Sequence, residues 1–542
     1  MLVTIPHVNT FSLVRKQLRC DRLFVRELKN FRLHGCISLS GSHNDPRLCS
    51  SWLTSVRNKV DIAMLDEDKY PETAVIHPEI SQNLTWLHKV APGFPVDGSK
   101  ITVIHEPEVF YSTLIEKCQR VQSRVTLASL YLGTGPLETD LVEAINQSVK
   151  RSNGRVRVTV LLDYMRGSRG KKNSRSMVEP LLRGNFSESC RIFFYHTPKL
   201  RGLLKRIVPH RFDELIGLQH MKLYIFDDTL IISGANLSND YFTNRQDRYF
   251  VIEDCKELCD FYDSLVDRVG EFSFRLLNDS TESSRPTLNV HPLETPSEEF
   301  ARVAGNRVRT LFQSEMDKRN SETVASDINS DADTWVFPLV EMGQLGIHHD
   351  SKVTLRLLQT ASPGSILKLA TGYFNLTSEY TDAILRYCRA ACHLLTAHPT
   401  ANGFYGAKGL AGGIPAAYTR IEKSFYERSE KYEQGDRITL WEFVRPGWTY
   451  HAKGLWYILP GQTKPCLTLI GSSNFGYRSV KRDLETQVAI VTKNEKLQTA
   501  LQTEHERLFN SSKLVTKQSF TQRDRIAPAW VCAAVVLFRY YF

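Results

Sequence analysis

Two distant stretches of the chain share one pattern of apolar and polar positions. Residues 220–242, HMKLYIFDDTLIISGANLSNDYF, predict an apolar strand, a turn at two aspartates and a second strand that ends at Gly-Ala-Asn. Residues 451–479, HAKGLWYILPGQTKPCLTLIGSSNFGYRS, predict the same order with a longer turn. Each stretch begins with a histidine and a lysine two positions apart, so that in a strand both side chains point to one face.

The repeat extends upstream of each hairpin. SRVTLASLYLGTGPLETDLVEAINQSVKR and GSILKLATGYFNLTSEYTDAILRYCR each predict a strand, a turn and an amphipathic helix. Another apolar strand follows in both places (VRVTVLLDY and ACHLLTAHP). A unit of this length, present twice, indicates a duplicated α/β domain rather than a solenoid of short repeats.

A histidine beside a lysine on a buried face favours a phosphate ligand, because lysine supplies charge and histidine can attack phosphorus or move a proton. A lone H-x-K would more simply be a core histidine with a lysine that reaches solvent. Here an asparagine and then a carboxylate follow each copy. Asp247 lies eleven residues beyond Asn236, and Glu485 lies eleven beyond Asn474. This equal spacing favours a paired site over chance.

The pattern H-x-K-x4-D followed by G-x-N resembles the signature of the phospholipase D superfamily. The resemblance implies an α/β fold of two duplicated lobes, each a mixed sheet flanked by helices, with pseudo-two-fold symmetry and one shared active site. Ser472 matches the signature as well and is a further candidate for substrate binding. The catalytic residues that the resemblance implies are His220, Lys222, Asp227, Asn236, Asp247, His451, Lys453, Asn474 and Glu485.

The resemblance also implies roles. One histidine becomes bonded to phosphorus, and the other protonates the leaving group and then deprotonates the acceptor. The lysines and asparagines bind phosphoryl oxygens, and Asp247 and Glu485 orient the histidine of the opposite lobe. The second motif has Ile458 where the signature has aspartate. We therefore expect His220, in the complete motif, to be the nucleophile and His451 to be the acid and base.

Longer stretches resemble the eukaryotic phosphatidylglycerophosphate synthase family within that superfamily. They include ASLYLGTGPLE, DYMRGSRGKKNSRS, NGFYGAKGLAGGIPAAY and LIGSSNFGYRSVKRDLE, and the resemblance covers most of the chain from about residue 85. It implies transfer of a phosphatidyl group from CDP-diacylglycerol to sn-glycerol 3-phosphate, with CMP as the second product. The alternatives are another enzyme of the superfamily (a phospholipase, cardiolipin synthase, phosphatidylserine synthase or nuclease) and a non-enzymatic lipid-binding protein.

Two loops are candidates for substrate binding. One is a glycine-rich strand-to-helix turn whose backbone amides could approach a phosphate, or which is simply a tight turn: Ser129, Leu130, Tyr131, Leu132, Gly133, Thr134, Gly135 and Pro136. The other is a basic loop that could hold a substrate phosphate or the cytidylyl group, or touch lipid headgroups: Arg166, Arg169, Lys171, Lys172 and Arg175.

The net charge of +10 suits an anionic membrane surface or a nucleic acid. Aromatic residues are scattered rather than lining a basic groove, so we expect no nucleic-acid partner. The proposed chemistry requires no cofactor and predicts no metal site, although Mg²⁺ or Ca²⁺ could assist at the substrate diphosphate. Eleven cysteines without a C-x-x-C pair indicate a reducing compartment, and Cys388, Cys392 and His393 are more simply core than metal ligands.

The two ends of the chain differ from the lobes. The first forty residues hold seven Lys or Arg against two Asp or Glu and can form a basic amphipathic helix. This is typical of a mitochondrial transit segment, with a basic surface helix as the alternative. We therefore expect a mitochondrial protein, peripheral on the inner membrane. The apolar C-terminal tail is shorter than the roughly 20 residues of a membrane span and could be an interfacial anchor or a buried terminal element.

These patterns divide the chain into six parts. They are a transit segment at 1–40, an extension at 41–84, a first lobe at 85–275, a polar connector with one helix at 276–335, a second lobe at 336–515 and an apolar tail at 516–542.

Overall fold

The structure is a computed structural model that describes residues 84–202, 205, 215–277, 283–325 and 332–541. The predicted transit segment at 1–40 lies outside the described residues, as does the predicted extension at 41–84 except for its last residue.

Twenty-one strands occur in the described residues. In chain order they are β1 (Phe94–Val96), β2 (Ile101–Ile104), β3 (Arg124–Ala128), β4 (Arg157–Asp163), β5 (Cys190–Tyr195), β6 (Leu223–Phe226), β7 (Thr229–Ser233), β8 (Arg245–Gln246), β9 (Tyr249–Ile252), β10 (Phe274–Leu276), β11 (Ser283–Ser284), β12 (Thr334–Met342), β13 (Ile347–His348), β14 (Ile366–Ala370), β15 (Ala391–Ala397), β16 (Ile438–Phe443), β17 (Thr449–Tyr450), β18 (Gly454–Ile458), β19 (Leu467–Gly471), β20 (Leu484–Thr492) and β21 (Ser512–Leu514).

The α-helices of the described residues are Pro107–Arg120, Pro136–Arg151, Tyr164–Gly167, Ser174–Val178, Asn239–Thr243, Lys256–Glu271, Ser297–Ala325, His349–Thr360, Ser378–Asp382, Ile414–Lys431, Tyr477–Lys481, Glu495–Asn510 and Ala529–Phe538. A π-helical turn spans Ala383–Tyr387. Short 3₁₀ segments are Thr85–Lys89, Gly98–Lys100, Glu179–Leu182, Ser187–Ser189, Gly343–Leu345, Pro399–Ala401, Gly409–Gly413, Ser519–Thr521, Arg523–Arg525 and Arg539–Tyr541.

Two large mixed sheets repeat one topology. The first has the order β11-β10-β5-β4-β3-β6-β7-β9-β2, and the second has the order β1-β12-β20-β19-β18-β14-β15-β16-β21. Read from opposite ends, both contain three parallel strands (β3, β4 and β5; β14, β15 and β16) followed by an antiparallel hairpin and two further antiparallel strands. The duplicated mixed α/β architecture predicted from the sequence is confirmed.

The hydrophobic core follows from the alternation of side chains along the strands. Leu223 and Ile225 of β6 face a core shared by both sheets, where they join Val336 and Leu469 of the second sheet. Tyr224, the intervening residue, faces a second core that the helices of the first lobe cover. Strands such as β6 and β18 are buried along their whole length, which explains why both faces are apolar.

One edge strand of the second sheet comes from the first lobe. Phe94–Val96, which the sequence assigns to the first lobe, pairs antiparallel with Thr334–Val336 of the second sheet. The predicted connector contains a helix at Ser297–Ala325, longer than the segment expected from its apolar spacing. In the part of the chain that the structure describes, every helix is too short or too polar to cross a membrane.

Candidate active site

The two H-x-K motifs meet at a junction between the sheets. The backbone amide of His220 donates to the carbonyl of Leu484, and the amide of His451 donates to the carbonyl of Gln246, both at 2.8 Å. The second contact extends a short parallel ladder, in which β8 of the first lobe pairs with β17 of the second. Each lobe therefore fixes the position of the other lobe's histidine through the backbone.

A carboxylate from the opposite lobe contacts each imidazole. His220 Nδ1 lies 2.8 Å from Glu485 Oε2, and His451 Nδ1 lies 2.7 Å from Asp247 Oδ2. Both carboxylates are buried. In each pair Nδ1 is the nitrogen occupied by the carboxylate, so Nε2 is the nitrogen that can react.

Both motif lysines are fully buried beside the histidines, but they differ in their contacts. The ammonium of Lys222 donates to the carbonyl of His220 at 2.6 Å. That of Lys453 donates to the carbonyl of His451 in the same way, and it also lies 2.7 Å from His451 Nδ1 and 3.6 Å from Asp247. Gly234 leaves room for this cluster, since a Cβ there would lie 2.5 Å from Asp247 Oδ1 and 2.8 Å from Lys453 Nζ.

Burial disfavours the charged form of every ionisable group at the junction. It lowers the pKa of both His220 and His451 well below the usual histidine range, and the neighbouring lysines lower them further. Burial raises the pKa of Asp247 to about 6 and that of Glu485 to about 7. An anionic ligand would reverse part of this effect for the lysines and histidines, because it supplies the missing negative charge.

The two motif asparagines differ in which side-chain atom is bonded within the protein. The Asn474 side-chain oxygen accepts from the Thr371 hydroxyl at 3.3 Å, and this bond orients the amide. Asn236 donates to the Tyr241 hydroxyl at 3.1 Å, while its Oδ1 is buried without a partner among the described residues. The unpartnered Oδ1 is an acceptor, so it suits a donor such as a hydroxyl, and only the Nδ2 group of Asn236 could meet a phosphoryl oxygen. Ser472 instead bonds the backbone of Thr486 and supports the turn.

Asp227 does not reach the junction. It lies at the tip of the β6–β7 hairpin with φ of 52°, and its carboxylate accepts from the backbone amides of Gln122, Ser123 and Arg124. The catalytic role expected for Asp227 is therefore wrong, because this side chain fastens a turn. The equivalent Ile458 is buried within the longer strand β18, paired with Ile366, where a carboxylate would have no such partners.

The glycine-rich loop at 129–136 is filled by a carboxylate. A Cβ at Gly133 would lie 2.2 Å from Glu138 Oε1, and one at Gly135 would lie 2.7 Å from Glu138 Oε2. The amide of Gly133 already donates to Leu237. Glu138 lies against these glycines, which favours the tight turn of the two alternatives, and substrate binding by the loop stays a prediction.

The remaining residues of that loop divide into two groups. Ser129, Leu130 and Leu132 are buried, Pro136 begins the following helix, and Thr134 lies between them in the turn. Tyr131 is half-buried, and its hydroxyl lies 3.0 Å from Ser238 Oγ.

The basic loop is only partly connected to this region. The guanidinium of Arg166 lies 4.2 Å from the centre of the Tyr131 ring. Arg175 donates to Ser283 and lies over Tyr164. Lys171 and Lys172 are exposed and Arg169 is half-buried. Substrate binding by Arg166, Arg169, Lys171 and Lys172 stays a prediction.

Aromatic residues that the motifs did not reveal surround His451. The rings of Tyr241 and Tyr373 lie edge-on to its imidazole, with centroids 5.1 and 5.8 Å away. Tyr373 in turn stacks on Tyr418. Tyr241 follows the first asparagine motif and Tyr418 ends a stretch that resembles the family, but neither pattern predicted an aromatic ring beside His451.

The comparison of the motifs also missed an ion pair that occurs in both lobes with the acidic and basic residues in opposite order. Asp240 pairs with Arg245 at 3.0 Å, and Arg478 pairs with Asp483 at 3.2 Å. In both lobes these residues stand four and nine positions after the motif asparagine. The equal offsets could have been found in the sequence, and they show that the two halves of the site differ in charge order.

A metal-ligating geometry occurs at one place in the described residues. Donor atoms of His220, Asp483 and Glu485 lie within 4.8 Å of one another. The side chain of Asp483 already accepts from the backbone of Leu218 and from Arg478, and Glu485 accepts from Ser479. These donors therefore do not fit a resident ion without losing protein partners, and assistance by a divalent cation stays a prediction.

Comparisons with known proteins give one consistent result. The chain is 43% identical over 486 residues to the mitochondrial CDP-diacylglycerol–glycerol-3-phosphate 3-phosphatidyltransferase of Homo sapiens, covering 86% of this chain and 87% of that protein. It is also 43% identical over 490 residues to the Gallus gallus protein of the same name, with the same coverage. No family model matches the chain.

A solved structure supports the fold. The phosphatidylserine synthase of Haemophilus influenzae Rd KW20 superimposes with a TM-score of 0.61 at 18% sequence identity, covering 85% of this chain and 97% of that chain. At this identity the likeness concerns the duplicated fold alone.

Proposed function

Because the chain belongs to the CDP-diacylglycerol–glycerol-3-phosphate 3-phosphatidyltransferase family, we propose that it transfers the phosphatidyl group of CDP-diacylglycerol to sn-glycerol 3-phosphate through a phosphohistidine on His220. The products are phosphatidylglycerophosphate and CMP, and the pathway leads to phosphatidylglycerol and cardiolipin. The observation that carries the mechanism is the junction, where each lobe supplies the carboxylate that contacts the other lobe's histidine.

The first step forms one bond and breaks one. Nε2 of His220 attacks the phosphorus that carries the diacylglycerol oxygen, and the bond from that phosphorus to CMP breaks. His451 gives its proton toward the departing oxygen. Glu485 and Asp247 hold the two rings through Nδ1 and stabilise the positive charge that each ring carries during the step.

The assignment of His220 as nucleophile is supported by two differences between the halves. His220 is 8% exposed and His451 is 4% exposed, so the former is more open to an incoming phosphorus. Each lysine donates to the carbonyl of the histidine two positions before it, but the ammonium of Lys453 also lies against the His451 ring. His451 therefore has the more enclosed environment of a group that moves protons.

The non-bridging oxygens of the phosphate would lie between the two lysines and the two asparagines. Lys222 and Lys453 enter the junction from opposite lobes, and burial lowers the pKa of both. A bound phosphate would stabilise their charged forms in a site with little water, where such contacts are strongest. The lysines therefore supply the charge that the chemistry needs, and Mg²⁺ or Ca²⁺ would assist only through the substrate diphosphate.

In the second step the primary hydroxyl of glycerol 3-phosphate displaces His220. The hydroxyl gives its proton to His451, its oxygen bonds to phosphorus, and the bond from phosphorus to Nε2 breaks. Water must be slower than this hydroxyl, and a site for the phosphate of the acceptor would provide that advantage through effective concentration.

The relatives from human and chicken are named as mitochondrial proteins, and this chain is mitochondrial by the same family membership. Its position on the inner membrane, as a peripheral protein with no nucleic-acid partner, is part of the proposal. The net charge of +10 supports attraction to anionic lipids.

Incorporation of radiolabelled glycerol 3-phosphate into lipid, with CDP-diacylglycerol in detergent micelles, tests the proposal. The wild type should form labelled lipid, and His220→Ala and His451→Ala should each lose it. His393→Ala is the matched control, since His393 is half-buried on β15 and bonds Thr439 outside the junction. Consumption of CDP-diacylglycerol without labelled lipid would contradict the transfer, and full activity in either site variant would contradict the mechanism.

A further inference from the structure

The C-terminal helix Ala529–Phe538 is apolar on its outer face as well as its inner one. Val531 and Val535 are buried against the second lobe. Val536 is 82% exposed, Leu537 is 64% exposed and Trp530 is 48% exposed. No residue of this helix is charged. A helix on the surface of a soluble protein normally turns polar residues outward, so this face is unusual.

A neighbouring loop continues the same surface. Tyr405 and Leu410 are exposed in the segment that leads to Gly413, and a Cβ at Gly413 would lie 2.2 Å from the Trp530 ring. Seven of the twelve large apolar side chains exposed in the described residues belong to this loop and the tail. We call them the apolar rim: Tyr405, Leu410, Ile526, Trp530, Val536, Leu537 and Tyr540.

The tail is fixed to the second lobe at both ends. Before the helix, Arg525 pairs with Glu442, and both side chains are buried. After it, the carbonyl of Arg539 accepts from Asn375 at 2.9 Å, and the Tyr540 ring lies 4.7 Å from that of Tyr477. The outer face is therefore held in place rather than being the loose end of a chain.

The apolar rim adjoins the candidate active site. Tyr373, whose ring contacts His451, lies 6.1 Å from the ring of Phe404, which precedes Tyr405 of the rim. At the other end Tyr540 contacts Tyr477, three residues after Asn474. The rim thus lies beside the loops that hold the second lobe's motif residues.

Positive charge accompanies the rim. The exposed side chains of the two segments include Lys408, Arg420, Lys517 and Arg523. Residues 402–420 contain no acidic residue, and 516–542 contain one, Asp524. An apolar surface in segments that carry cations and almost no acidic residues is complementary to a bilayer with anionic headgroups, into which its apolar side chains can insert.

We propose that the apolar rim docks this protein on an anionic lipid bilayer, so that the site opens toward a lipid substrate held in that bilayer. This inference rests on the proposed function, since a diacyl substrate resides in the membrane. A ten-residue helix is too short to span the roughly 30 Å hydrocarbon core, so the helix lies along the interface. Lateral access would then spare the substrate from leaving the bilayer.

Vesicle flotation of the full-length protein tests the docking. The vesicles contain phosphatidylcholine alone or phosphatidylcholine with phosphatidylglycerol. The double variant Val536→Ser/Leu537→Ser removes two exposed side chains and should bind the anionic vesicles about tenfold more weakly than the wild type. Val109→Ser is the matched control, because Val109 is 50% exposed on a first-lobe helix and should change nothing. Equal binding by the double variant and the wild type would overturn the proposal.

An activity assay separates this inference from the proposed function. The double variant should lose about tenfold activity on long-chain CDP-diacylglycerol in vesicles and keep wild-type activity on a short-chain analogue dispersed in detergent. A wild type that binds vesicles but transfers nothing in either assay would overturn the proposed function and leave the docking intact. Conversion of a wild-type dimer to a monomer by the double variant, with vesicle binding unchanged, would overturn the docking and identify the rim as a contact between copies.

Discussion

The two lobes place the same catalytic groups with the same bonds but differ in the charges around them. In both lobes the histidine amide donates to the opposite lobe, and Nδ1 contacts a carboxylate from that lobe. Around this shared frame the hairpin aspartate, the lysine contacts and the order of one ion pair all differ. The backbone bonds and the histidine–carboxylate pairs are therefore symmetric, whereas the surroundings of the two histidines differ because the nucleophile and the acid–base group have different roles.

The hairpin shows that the aspartate of the signature stabilises a turn. Asp227 bonds three backbone amides at a turn, and its counterpart Ile458 packs inside a longer strand. The loss of this aspartate from the second motif therefore leaves the junction unchanged. A departure from the signature at position 458 is a change of hairpin and not a decayed site.

The largest expected effect comes from variants that disrupt the two carboxylate–histidine pairs. Glu485→Gln and Asp247→Asn keep the size of each side chain but remove the charge that holds the histidine. Each should lower kcat by about 10²- to 10⁴-fold, because the imidazole loses its preferred tautomer and its counter-charge. Steady-state kinetics in detergent micelles measures this.

Asp263→Asn is the matched control for those variants, since Asp263 bonds Thr126 away from the junction. It should change kcat by less than about twofold. A loss below tenfold in either junction variant, with normal thermal unfolding, would show that the opposite-lobe carboxylates do not orient the histidines.

A smaller effect is expected at the hairpins. Asp227→Ala removes the acceptor of three backbone amides and should lower the free energy of unfolding by about 1–3 kcal/mol. The kcat of the folded enzyme should stay the same. Ile458→Asp, which copies the first motif into the second, should destabilise by at least as much because it buries an unpaired carboxylate. Urea unfolding measures both, and a stable Asp227→Ala protein without activity would restore the catalytic role.

The smallest effect separates the two histidines by pH. Arg478 lowers the pKa of His220 and Arg245 lowers that of His451, in each case after burial and the neighbouring lysine. Arg478→Gln should therefore raise the pKa of His220, and Arg245→Gln should raise that of His451. A nucleophile must be neutral and a general acid must be protonated.

The sign of each change follows from those requirements. On the acidic side of the pH profile of kcat/KM, Arg478→Gln should lower the rate, because less His220 is neutral, and Arg245→Gln should not. On the alkaline side Arg245→Gln should raise the rate, because more His451 keeps its proton. Arg478→Lys and Arg245→Lys, which keep the charge, are the controls. If Arg245→Gln lowered the rate on the acidic side and Arg478→Gln raised it on the alkaline side, His451 would be the nucleophile.

Much of the site was predictable because it is repeated in the sequence. The equal spacing of Asn236 to Asp247 and of Asn474 to Glu485 identified the junction carboxylates, and the family resemblance gave their pairing with the opposite histidines. Periodicity also identified the central strands of both sheets, since strands such as β6 are short apolar runs between turn residues.

What sequence reasoning missed depends on contacts between distant residues. The first edge strand of the second sheet comes from Phe94–Val96, far from that lobe in the sequence. Arg248 crosses between the lobes to a buried pair with Glu504 and lies 3.9 Å from the Trp456 ring centre. No local pattern marks such partners.

The central claim is that His220 forms the covalent intermediate at a junction built by both lobes. The most direct test is to mix the enzyme with CDP-diacylglycerol labelled at the diacylglycerol phosphorus, without acceptor, then denature it and locate the label by mass spectrometry of peptides. We expect label on His220 in the wild type, none in His220→Ala, and release of the label as lipid when glycerol 3-phosphate is added before denaturation. Label on His451, or rapid turnover with no labelled peptide, would contradict it.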